Sequence, residues 1–199
     1  VDIGANIGQH SMYAASIVGK EGAVYSYEPI PYISKQLTES VHANHFESTV
    51  HVHTSALGSK DSVETLYVSK NVGGSSLVND EDGTQEEIRV VVKKGDDELR
   101  DIVKIDMVKI DVEGYEYEVL SGLQETLTKH TPIILVEFSA DFYTKNTDKH
   151  GEKILKLLDD LGYSIYDLEN DNREVLGHTE FLREFLGTRK QTNLLCVKK

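Results

Sequence analysis

Between Val1 and Thr54 the hydrophobic pattern switches from strand to helix and back, and a glycine turn joins the first pair of elements. Val1 to Ile3 reads as a strand end. Asp2-Ile3-Gly4-Ala5-Asn6-Ile7-Gly8 supplies the turn, and His10 to Val18 the helix, with Met12, Ala15 and Ile17 among its apolar positions and Gly19 near its C-terminus. Ala23 to Tyr27 is the next strand. Pro31 suits the first turn of a second helix, where Ile33, Leu37 and Val41 recur every four residues, and Thr49 to Thr54 is a third strand. A strand–helix–strand–helix–strand order constrains the chain to a parallel sheet with crossover helices.

From Ser55 to Asp106 that rhythm stops. Ser62 to Ser69 and Glu87 to Lys93 alternate as strands do, the second through Ile88, Val90 and Val92. Residues 60–95 are therefore expected to form a hairpin-like insertion within one domain spanning 1–199. Asn71 to Glu87, glycine- and serine-rich and then acidic, is expected to be a lid over the acceptor side. The winding resumes with strand Met107 to Asp111, helix Tyr115 to Lys129 and strand Ile133 to Glu137. Helix Lys149 to Leu161, strand Tyr163 to Leu168 and a last strand, Asn193 to Val197, follow. Val1 already lies inside a strand and no methionine precedes it, so residues upstream are expected, together with any leader or anchor they carry.

A parallel sheet of this kind binds ligands outside the carboxyl ends of its strands. Backbone N–H groups at the start of the first helix can meet an anionic group. Glu28 ends the second strand, 20 residues after Gly8, where an acid can accept hydrogen bonds from ribose hydroxyls. Dinucleotide sites use G-x-G-x-x-G, whose second glycine makes room for a pyrophosphate. Here the spacing is G-x-x-x-G, Asn6 stands in the middle, and Asp2 flanks the turn. That favours a ligand with a ribose and an ammonium group but no pyrophosphate, a description that S-adenosylmethionine fits. A plain strand–turn–helix without ligand is the alternative.

The second chemical motif is Lys109-Ile110-Asp111-Val112-Glu113-Gly114-Tyr115-Glu116. It stands where the fourth parallel strand meets its helix, so Asp111 and Glu113 are expected to face the same crevice as Asp2 and Glu28. They could orient an acceptor, take its proton or touch the methionine end of the cofactor, with Glu113 the better candidate for the proton. The competing role is helix capping, to which Glu116 and Glu118 are assigned.

These motifs resemble the FkbM family of S-adenosylmethionine-dependent methyltransferases. The likeness rests on VDIGANIG at the start, YEP at Tyr27 to Pro29, Ser55-Ala56-Leu57-Gly58, GGSSL at Gly73 to Leu77 and Asp97. KIDVEGYE at Lys109 to Glu116, Val119-Leu120-Ser121-Gly122 and Val136-Glu137-Phe138 complete it. The resemblance implies an α/β, doubly wound, Rossmann-like class I fold: a seven-stranded sheet, mostly parallel, with the last strand antiparallel. It implies O-methylation of a hydroxyl on a small-molecule or glycan acceptor. It assigns Asp2, Gly4, Asn6, Gly8, Glu28 and Pro29 to the cofactor, S-adenosyl-L-methionine, with Ser55 and Ala56 near its adenine. The elements that precede the first strand in the family are not in this sequence. N-methylation of a small amine, or a cofactor-binding domain without turnover, would use the same fold.

Charge narrows the partners. With 34 acidic against 21 basic residues the net charge is −13, which disfavours holding nucleic acid by its phosphates. Neither a Pro-Cys nucleophile nor an Asn/Asp-Pro-Pro-Tyr segment is present for base methylation. The longest apolar run, Ile133 to Val136 with Phe138 beyond, is too short to span a bilayer, and a cytoplasmic location is expected. One cysteine, Cys196, rules out a disulfide framework. His42, His45, His51 and His53 cluster in sequence, but an edge strand with a solvated histidine face accounts for them, and no metal is expected. His10 at the crevice could accept a proton, or simply start its helix. Tyr13, Tyr25 and Tyr27 are expected to pack around the first crossover.

Overall fold

The computed structural model describes residues 1–69, 75–76, 85–139, 150–188 and 191–199. Its first elements are β1 (Asp2–Ile3), α1 (Gln9–Val18), β2 (Val24–Tyr27), α2 (Pro31–Ala43) and β3 (Val50–His53). Then come β4 (Ala56–Gly58), β5 (Ser62–Ser69), β6 (Ser75–Ser76), β7 (Gln85–Lys94), α3 (Gly95–Glu98) and β8 (Met107–Ile110). The C-terminal part holds α4 (Glu116–Gly122), α5 (Gln124–His130), β9 (Ile133–Ser139), α6 (His150–Asp160), β10 (Tyr163–Asp167), β11 (Arg173–Glu174), α7 (His178–Thr188) and β12 (Gln191–Lys198). Among these residues no helix is long and apolar enough to cross a membrane.

The main sheet has the order β11-β10-β12-β9-β8-β1-β2-β3. β1 pairs in parallel with β2 on one side and β8 on the other, so the strand order reverses there, beside the carboxyl ends of both strands. β12 runs antiparallel between β9 and β10. The sheet is thus doubly wound and mostly parallel with an antiparallel last strand, but among the described residues it has eight strands rather than seven. The extra one is the two-residue β11, which pairs with β10 at the edge. β4, β7, β5 and β6 form a second sheet, in which β5 and β7 pair antiparallel from Ser62↔Val92 to Ser69↔Gln85. The lid expected over Asn71 to Glu87 lies mostly outside the described residues.

Both faces of the main sheet are covered, which is why its central strands read as continuous apolar runs. Val108, Ile110, Ile134, Val136 and Phe138 are fully buried against Leu120, Leu123, Leu127, Ile154 and Leu158 of the helices. On the other face Ala15, Leu37 and Val41 from α1 and α2 close over Val24 and Val50. Full burial of one such side chain contributes about 1.5–3 kcal/mol.

The single helix expected over Tyr115 to Lys129 is two short ones. α4 ends at Leu123 (φ −112°), and Asp96 on α3 starts α5: its carboxylate accepts the Thr126 N–H at 2.8 Å and the Glu125 N–H at 3.2 Å. The periodicity runs through the break because both helices bury the same face. Gly122 has a second constraint, since a Cβ there would lie 1.9 Å from the Gly58 carbonyl oxygen on β4. Two further expectations change. Tyr13 is 69% exposed and does not pack. His53 is not on a solvated face: its ring stacks on buried Tyr27 with centroids 4.6 Å apart and pairs with Glu98 at 3.6 Å. Cys196 is fully buried in β12.

Candidate active site

A cleft of about 580 Å³ opens where β1, β2 and β8 end. The glycine turn forms one wall. The N–H groups of Gly4 and Ala5 both donate to the Tyr27 carbonyl at 3.0 Å, which locks the turn onto the end of β2. Gly4 has φ +78°, and a Cβ on it would lie 1.7 Å from the Asp111 carbonyl oxygen, so only glycine fits between β1 and β8. Asn6, with φ +50°, is one of the few side chains that tolerate the left-handed region, and its Oδ1 accepts the Ile7 N–H at 2.8 Å.

Glu28 faces this turn. It is 5% exposed, yet it lines the cleft. One carboxylate oxygen accepts the Asn6 N–H at 3.0 Å and the other the Ile30 N–H at 2.9 Å. Burial pushes its carboxyl above the usual carboxylate range, while these two hydrogen bonds pull the other way. A carboxylate offers about four lone-pair positions. Two are used, so one on each oxygen is left for a ligand with a pair of hydroxyls.

The opposite wall is acidic. Asp111 follows β8, Glu113 stands two residues on, and Glu137 comes from β9; oxygens of all three lie within 4.8 Å of one another. Burial, then the neighbouring charges of Asp111 and Glu116, raises Glu113 to about 7. Burial, then the charge of Asp111 and a hydrogen bond with it, raises Glu137 to about 8. Both glutamates are thus pushed to neutral pH or above it, which favours a proton on Glu137. Glu113 also has φ +50°, followed by Gly114 at +99°. A glutamate rarely adopts that conformation, and such residues concentrate at functional sites.

Of the residues singled out from the sequence, Gly4, Asn6, Glu28, Pro29, Ala56, Asp111 and Glu113 line the cleft, as does His10. Asp2, Gly8 and Ser55 are not in its wall. Asp2 is 4% exposed and lies beneath the turn, where Ser11 Oγ donates to its Oδ2 at 2.6 Å. It is therefore not placed beside Glu28 in the crevice. Gly8 caps α1, and Ser55 is buried. Two wall residues had no assigned part in the expected cofactor set. Lys109 is an apparent interruption of an apolar strand, and Glu137 sits at an alternating position of β9. The signal for both was a charged residue inside an otherwise apolar strand. Ile30, Ile33, Leu66 and Val68 add an apolar wall, the last two from β5 of the second sheet.

Several known proteins are similar to this chain. "Methyltransferase 1" of Beauveria bassiana is 26% identical over 171 residues, covering 74% of this chain and 68% of its own length. The "Hexuronic acid methyltransferase AglP" of Haloferax volcanii is 29% identical over 186 residues, covering 90% and 70%. A solved structure of methyltransferase FkbM from Methylobacillus flagellatus KT superposes with a TM-score of 0.59 at 19% identity. It covers 98% of this chain, which spans 42% of that one. The model of the methyltransferase FkbM domain matches residues 2–165, and the chain belongs to that family.

Proposed function

We propose that the cleft binds S-adenosylmethionine and serves transfer of its methyl group to a hydroxyl of a small-molecule or glycan acceptor. The observation that carries this reading is the meeting, in one cleft, of Glu28, with one lone pair left on each oxygen, and the Asp111, Glu113 and Glu137 cluster. Glu28 suits the ribose hydroxyls, and the Gly4 to Gly8 turn the cofactor's methionine end. The apolar wall of Ile30 and Ile33 suits an adenine ring.

When bound, that cofactor supplies an electrophilic methyl group on a sulfonium. The chain's own part is to hold the acceptor and take its proton. A hydroxyl is a poor nucleophile at neutral pH, so a positioned base typically contributes about 10²–10⁴-fold. Glu113 fits the base: its carboxyl is raised to about 7, near the pH at which a base can both be ionised and bind a proton firmly. Its strained backbone aims it independently of the helix that follows. Asp111 suits the sulfonium side of the site. The relative named for hexuronic acid makes sugars and sugar acids the first acceptors to try.

The test is a screen of sugars, uronic acids, glycans, phenols and amines with methyl-labelled cofactor. Label on a hydroxyl oxygen supports the reading. Label on amines alone replaces O- with N-methylation, and binding without any transfer makes the chain a cofactor-binding domain.

A further inference from the structure

Lys109 lies in β8 between Val108 and Ile110, both fully buried, and opposite Asp2 in the β1–β8 register. An apolar residue would serve that position for packing alone. Instead an ammonium 13% exposed stands 3.1 Å from Asp111 Oδ2 and 3.3 Å from Asp2 Oδ1, and donates to the Gly4 carbonyl at 3.1 Å. The ammonium thus reaches three oxygens: it hydrogen-bonds to the one on the turn and ion-pairs with the one beneath it and the one in the acidic wall. Asp2 Oδ1 receives no hydrogen bond, so the ammonium is the charge that offsets its burial.

We infer that Lys109 is a positioning residue of this site: it pins the Asp111 carboxylate to the glycine turn and so sets the charge that faces Glu113 and Glu137. The inference rests on reading the cleft as a methyl-transfer site. Within the cluster Asp111 acts on both Glu113 and Glu137; Glu116 from α4 adds its charge to Glu113, and Lys109 opposes them from β8. The ammonium ion-pairs with the Asp111 carboxylate through one contact, at 3.1 Å. The proton favoured on Glu137, which hydrogen-bonds to Asp111, leaves Glu113 to receive the acceptor's proton. Because Lys109 also holds the Gly4 carbonyl, the same contact keeps the cofactor turn and the acidic wall in register.

The experiment follows the side-chain carboxyl signals of ¹³C-labelled Asp and Glu by NMR against pH in the parent, Lys109→Met and Lys109→Arg. The Glu137 carboxyl should lose its proton about one pH unit higher in Lys109→Met and near the parent value in Lys109→Arg. A folded Lys109→Met protein with unchanged carboxyl titrations overturns the inference. If Lys109→Met does not fold, the parent decides: its Lys109 ammonium should give a slowly exchanging ¹⁵N signal with contacts to Gly4, and a freely exchanging, averaged signal overturns the inference. Calorimetry of S-adenosylhomocysteine on the parent separates the two readings. Absent binding there rejects the methyl-transfer site, whereas normal binding with unmoved titrations rejects only Lys109.

Discussion

The backbone N–H of Asn6 donates to Glu28 Oε2 at 3.0 Å across 22 residues of chain. The turn after β1 and the acid after β2 are therefore one unit. Asn6 can aim its N–H at the carboxylate because its φ of +50° turns the peptide toward β2. The hydrogen bond orients the carboxylate and leaves its remaining lone pairs to the cleft.

Gly4→Ala should disrupt this unit from the other side. Its Cβ would collide with the Asp111 carbonyl oxygen at 1.7 Å, and φ +78° is unfavourable for alanine. The backbone conformation alone costs about 1–2 kcal/mol, and the collision adds to it. Chemical denaturation should show a stability loss above that figure, with S-adenosylhomocysteine affinity falling as β1 and β8 part.

Asp96→Ala removes the carboxylate that accepts the Glu125 and Thr126 N–H groups at the start of α5. A lost cap costs about 1 kcal/mol. Denaturant midpoints should fall accordingly while cofactor affinity stays at the parent value, because α5 does not line the cleft.

Glu137→Gln should stabilise the protein at high pH. Its carboxyl is raised to about 8 from its ordinary value of 4.5, so between those values the folded state holds more protons than the unfolded state. Stability then falls as pH rises through that window. The glutamine carbonyl can still accept from Gln191. Melting temperatures at pH 5 and pH 8.5 should show little change at the first and a gain at the second.

Glu113→Gln should keep cofactor affinity and lose turnover by about 10²–10⁴-fold. In the parent, turnover should rise with pH through about 7, where Glu113 ionises. A capping role would instead lower stability by about 1 kcal/mol with little loss of activity. Turnover, affinity and melting temperature measured together distinguish these roles.

The sheet was legible because its central strands are short apolar runs punctuated by Gly and Pro, and the site because Gly4, Glu28 and Asp111 stand at strand ends. The break at Leu123 was not, since Asp96, which caps α5, lies 30 residues away from Thr126 in the chain. β11 has two residues and α7 is partly exposed, so neither imposes a strong pattern. Asp2 was legible as important but not in its position. Its burial beneath the turn depends on Ser11 and Lys109, contacts that only the assembled sheet creates.

The central claim is that Glu28 and the turn it grips hold the ribose of S-adenosylmethionine. Isothermal titration of S-adenosylhomocysteine into the parent and into Glu28→Gln tests it most directly. A charge-assisted hydrogen bond contributes about 1.5–3 kcal/mol, so the variant should bind roughly tenfold to a hundredfold more weakly. Equal affinity in the two folded proteins, or no binding by the parent, would contradict the account.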